Sequence, residues 1–211
     1  MGEHYLLISI LIALLALIPF FVKFERRKVQ ARELVLLAVL IATAVVGRAA
    51  FFMLPNFKPI LAIVIIAGVA LGGESGFMVG AMAAFVSNFI FGQGPWTPFQ
   101  MVAMGLVGFL AGILFKKYYA KADSFIGKRK LPLLIFGAVA VFFLYGGIVD
   151  IWTILAMTPH PTLATVVAVY GAAVYFNLVH AGATVIFLLL LAGPMLKKLR
   201  RVQIKYGIDN M

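Results

Sequence analysis

Long apolar runs separated by short polar segments dominate this chain. The runs occupy 5–22, 32–52, 60–71, 76–91, 99–115, 131–155 and about 163–193. A helix crosses the hydrocarbon core of a bilayer with roughly 20 apolar residues, so the runs are predicted membrane helices. Run 60–71 is short for a crossing. Run 163–193 is longer than a crossing needs, and its first part is predicted to tilt or break near Gly171. The separators carry helix breakers: Pro55 and Pro59 in MLPNFKP, the turn Gly72-Gly73-Glu74-Ser75, the loop from Gly92 to Pro98, and two prolines flanking His160.

The basic residues orient these helices. Every Lys and Arg except Arg48 and Lys58 lies in one of three segments, 23–32, 116–130 and 197–205. Cytoplasmic loops collect such charge. Alternating from them gives seven crossings, with the N-terminus outside and the C-terminus in the cytoplasm. The first run begins with Gly-Glu-His and ends in KFERRK, unlike a cleaved signal peptide, so it reads as a retained helix. The predicted fold is an all-α integral membrane protein. Residues 1–211 form one transmembrane domain, with 5–22 as an extra N-terminal helix before a six-helix core at 32–200.

Composition agrees with a membrane protein. Hydrophobic residues make up 64% and charged residues 12% of 211, against roughly half and a quarter in soluble domains. The net charge of +11 sits in loops beside apolar runs, which points to a bilayer and not to nucleic acid. There is no cysteine, hence no disulfide and no thiolate metal site.

Small residues form stripes that let helices approach closely. Ala38 and Ala42 share one helix face, extended by Ala31 and Ala49. Gly76, Gly80 and Ala84 form a second stripe, and Gly108 and Gly112 a third.

Polar groups inside a membrane are costly and are functional candidates. Arg48, Asn88, Gln100, Asp150, Asn177 and His180 all fall near the outer ends of their helices, and no comparable set is expected in the inner half. With Asn56, Lys58, Gln93, Trp96 and Tyr175 they outline an outward-facing small-molecule pocket with aromatic walls. Simpler roles compete. Arg48 and Asp150 could form a structural ion pair, His180 could be a bonded core histidine, Asn88 and Asn177 could join helices, and the aromatic residues could form an interfacial belt.

Other chemistries lack their residues. There is no phosphate-binding Gly-Lys-Ser/Thr loop, no nucleophile elbow and no His-Glu-x-x-His helix. His4, His160 and His180 lack metal-binding spacing. An enzyme is not expected, nor is a bound cofactor.

The stretches VGRAAFFMLPNFKP, GVALGGESGFMVGAMAAFVSNF and FGQGPWTPFQM, with Ala38-x-x-x-Ala42, resemble the S component of energy-coupling factor (ECF) vitamin transporters, in its cobalamin-specific branch. The resemblance covers 32–200. It implies a six-helix subunit of a bacterial cell membrane that captures a vitamin, cobalamin or cobinamide, at the outer face. It also implies docking through Ala38 and Ala42 on a transmembrane T component driven by two separate ATPase subunits, with toppling during delivery. The loops 53–59, 92–98 and 156–163 would then frame the pocket. Asn88, Gln93, Gln100 and Asn177 would suit corrinoid amides, and His160 or His180 could reach cobalt. Pantothenate, a pyridoxine-like compound, or a structural subunit without ligand are the alternatives.

Overall fold

The computed structural model describes residues 4–26, 30–119, 127–158 and 160–208. Basic residues Arg27 and Lys28, the centre of the loop at 120–126, and Pro159 lie outside them. The described residues form helices α1 (His4–Arg26), α2 (Ala31–Ala50), α3 (Ile60–Leu71), α4 (Gly73–Phe91), α5 (Thr97–Phe115), α6 (Leu131–Val139), α7 (Gly146–Met157) and α8 (Leu163–Tyr206). A π-helical turn, Ala140–Tyr145, makes α6 and α7 one continuous segment. Among the described residues, five segments are long and apolar enough to span a membrane: α2, α4, α5, α6 through α7, and α8. With the shorter α3, they form a multi-pass helical bundle.

At about 1.5 Å per residue, α3 is only ~18 Å long. All but Ala70 of its twelve residues are buried, because α2, α4, α5 and α8 surround it. A helix sheathed by other helices need not match the bilayer thickness, which explains how so short a run serves as the core.

Glycines set the spacing around α3. A Cβ on Gly68 would lie 2.1 Å from the Gly108 carbonyl oxygen, and one on Gly76 would lie 2.4 Å from the same atom. A Cβ on Gly80 would meet the Met104 carbonyl oxygen at 2.4 Å. Helices α3, α4 and α5 therefore touch backbone to backbone. The stripes at Gly76, Gly80 and Ala84 and at Gly108 and Gly112 are internal seams. Ala38 and Ala42, by contrast, remain exposed on α2.

One end of the bundle gathers the basic segments. Contrary to the expectation of an unfurnished inner half, a buried polar set lies there. Glu33 is 2% exposed and accepts a hydrogen bond from Ser75 Oγ at 3.0 Å. Gln203 donates to the Ala70 carbonyl at 2.9 Å, and Lys116 to the Leu71 carbonyl at 3.2 Å. These groups clasp the single-residue connection at Gly72, whose φ of 106° suits glycine. The expected four-residue turn is thus shorter, since Gly73 to Ser75 already belong to α4. Helix α1 joins the same end through a Lys23–Glu74 ion pair at 2.9 Å and a Phe20–Phe77 ring stack at 3.8 Å.

The expected break near Gly171 does not occur. Helix α8 runs unbroken for 44 residues and includes Pro194 and most of the basic tail. Nothing lies within 4 Å of an added Cβ at Gly171, so neighbours do not force a hinge there.

Replacing Gly108 with Ala should destabilise the protein by about 2 kcal/mol or more, through overpacking against backbone. Gly147→Ala, in open space, should be nearly neutral. Thermal unfolding of both variants in detergent checks the contrast.

Candidate ligand-binding site

The end opposite the basic segments carries a cavity of about 450 Å³ between α7 and α8, bordered by Asn56 and by Gln100 of α5. Asp150, Asn177 and His180 line it, together with Tyr145, Thr153 and Phe176. Spacing explains the wall. Tyr145, Val149, Thr153 and Met157 recur every four residues along one face, as do Val169, Ala173 and Asn177. Gly146 lets Asn177 lie against its helix, since a Cβ there would sit 2.6 Å from the Asn177 amide carbon.

Several groups in this wall keep unspent hydrogen-bonding capacity. Asp150 Oδ2 accepts from Asn177 Nδ2 at 2.9 Å, and its other oxygen has no protein donor among the described residues. Gln100 uses its oxygen to accept from Asn88, leaving its amide hydrogens. His180 is 6% exposed, stands edge-on to Tyr145 at 5.0 Å, and has an Nε2 without a hydrogen-bond partner. Buried polar groups are normally paired, so this cluster has room for a ligand's donors and acceptors.

A hydrogen-bond relay braces the cavity from behind. Arg48 donates to Ser87 and, at 2.9 Å, to Asn88 Oδ1. Asn88, 1% exposed, donates to Gln100 at 2.8 Å and to Thr97 at 3.0 Å. Thr97 donates to Gln93 Oε1 at 2.9 Å, and Gln93 Nε2 donates to the Phe85 carbonyl at 2.9 Å. The alternative Arg48–Asp150 ion pair does not form: Arg48 binds neutral oxygens and lies over the Phe91 ring at 4.2 Å. Lys58 shares that ring at 4.7 Å. Partial burial, and then the nearby Arg48 charge, lower the pKa of Lys58 from its ordinary value.

The sequence candidates therefore separate. Asn56, Gln100, Asp150, Asn177 and His180 border the cavity. Arg48, Asn88 and Gln93 belong to the relay. Trp96 packs beside Trp152 at 6.4 Å and against Gly94. Tyr175 is 68% exposed and stands outside the cavity. His160 is an exposed loop residue whose backbone N–H donates to Thr158. The sequence candidates omit Tyr145, Thr153 and Phe176; the four-residue spacing of Tyr145, Val149 and Thr153 was the available signal for the first two.

A family model described as ECF-type riboflavin transporter, S component, matches residues 28–200. The chain belongs to this family. It is a substrate-binding transport subunit, not an enzyme, and a multi-pass protein of the cell membrane. No curated protein and no solved structure matches it. The matched region begins between α1 and α2, so α1 lies outside it. S components work in general with a T component and ATPases. The family description names riboflavin, whereas the loop resemblance pointed to cobalamin.

In this S component, Asn88→Ala should cost about 2 kcal/mol, because it strands the buried partners Arg48, Thr97 and Gln100. Gln93→Ala, nearer the surface, should cost less. Chemical or thermal unfolding in detergent measures the difference.

Proposed function

We propose that this S component captures a vitamin of riboflavin size in the cavity between α7 and α8 and delivers it through partner subunits. Cavity size carries this reading. About 450 Å³ falls within the range of roughly 300–1,000 Å³ typical of sites for drug-sized ligands. Riboflavin belongs to that size class, whereas a corrinoid with its nucleotide loop is several times larger. The lining suits a flat heterocycle with polar edges and a hydroxylated side chain. Tyr145 and Phe176 offer aromatic surface, while Asp150, Asn177, Gln100 and His180 offer hydrogen bonds. Cobalamin is the second reading, favoured by the outer-loop stretches around Arg48 to Lys58 and Gly92 to Gln100. It requires the mouth to widen.

Binding to the purified full chain in detergent separates these readings. Quenching of flavin fluorescence should show tight riboflavin binding, weakened at least tenfold, or roughly 1.4 kcal/mol, by Asp150→Ala. Tight cobalamin binding without riboflavin binding would select the second reading. Folded protein that binds neither vitamin would overturn capture at this site.

Delivery needs a docking face. The exposed strip of α2 that holds Ala38 and Ala42, flanked by exposed Leu34, Val35, Val39 and Val46, offers a helix surface of low relief. We assign it to a T component driven by two ATPase subunits. Ala38→Trp and Ala42→Trp should leave vitamin binding by the isolated chain unchanged yet abolish uptake in cells carrying the partners. Normal uptake would remove the assignment.

A further inference from the structure

Away from the ligand cavity, α5 and α6 leave a second depression of about 680 Å³, open to the side of the bundle. Its lining is wholly apolar and includes Leu110, Leu131, Ile135, Val139, Phe143 and Leu144. From Leu131 to Leu144 the groove follows the helix for roughly 20 Å. Half of the hydrocarbon core is roughly 15 Å thick. The groove therefore spans the leaflet on the basic side of the protein, with its lower end at the membrane surface.

That lower end is charged and fixed in place. The short turn Gly127–Lys130 precedes α6. The Tyr119 hydroxyl donates to the Arg129 carbonyl, tying this turn to the segment that leaves α5. Burial pushes the Tyr119 phenol up to about 12, so it remains a donor at any physiological pH. Arg129, whose carbonyl takes this bond, precedes the first groove residue, Leu131, by two positions, and Lys117 precedes Tyr119 by two; both are exposed. Basic pockets between membrane helices on the cytoplasmic side suit anionic lipid headgroups. A water-soluble vitamin would find no polar partner along these walls.

We propose that this groove holds an acyl chain of an anionic phospholipid from the cytoplasmic leaflet, with its phosphate headgroup held by Lys117 and Arg129. The site is separate from the vitamin cavity and does not depend on which vitamin is bound. Charge supplies headgroup preference, and the groove supplies retention. A helix of a partner protein would use the groove but would not need the cations.

Native mass spectrometry of the full chain tests this with phosphatidylglycerol and phosphatidylcholine of identical acyl chains, offered in equal amounts. The wild type should retain phosphatidylglycerol with a preference of roughly thirtyfold, the product of two surface cations. The double variant Lys117→Gln/Arg129→Gln should bring the two lipids close to parity. Val139→Trp, which fills the groove from an exposed position, should reduce retention of both. Ile135→Trp replaces it if that variant unfolds, as judged by its thermal melt. A wild type without headgroup preference overturns the proposal, as does a preference untouched by removing the two charges. Lipid retention unchanged by filling the groove, with association with a T component lost instead, would assign the groove to a partner helix and equally overturn it.

Discussion

Backbone contact at Gly68, Gly76 and Gly108 is the constraint from which the bundle follows. No side chain separates α3, α4 and α5 there. In a membrane, lipid tails are as apolar as leucine, so apolar side chains gain little by leaving them for a neighbouring helix. Close packing must supply the attraction, and glycine permits the closest packing. With that seam set, α3 becomes a buried strut. The outer ends of α4 and α5 converge enough for Asn88 to reach Thr97 and Gln100, and the cavity inherits a fixed rear wall.

The outer polar cluster handles charge in an economical way. Among the described residues, Arg48 pairs with no carboxylate. Its guanidinium is instead shared among Ser87, Asn88 and the face of Phe91. Neutral oxygens and an aromatic ring stabilise a cation without placing a second buried ion nearby, whose desolvation would be costly. Asp150 is likewise kept apart and held by an amide. Because the two opposite charges are not spent on each other, polar capacity at the cavity wall stays open to a third molecule.

The apolar runs, the prolines and the three basic segments made the helix order and its alternation legible in the sequence. The gathering of the polar residues at the end opposite the basic segments was legible too, because depth follows from counting along a helix. Two things were hidden. Periodicity could not tell which small-residue stripe packs internally, since Gly76 and Ala38 look alike until the neighbours are known. Nor could it reveal that Ser75 meets Glu33 or that Gln203 reaches the Ala70 carbonyl, because the partners lie on different helices and each alone reads as an ordinary helix-end residue. Tyr145 was overlooked because it lies in an apolar stretch, yet its four-residue spacing to Val149 and Thr153 matches the cavity face.

Helix α8 adds a mechanical consequence. From Leu163 to the residue before Pro194 it extends for about 46 Å at 1.5 Å per residue. Asn177 and His180 lie partway along this rod. Proline removes a backbone donor and weakens the helix at one joint, and beyond Pro194 the rod continues to Gln203 and the basic end. A tilt of about 5° imposed at the outer end would displace the joint by ~4 Å. The helix therefore joins the cavity wall to the basic end as one continuous element, so a tilt at the first is a displacement at the second.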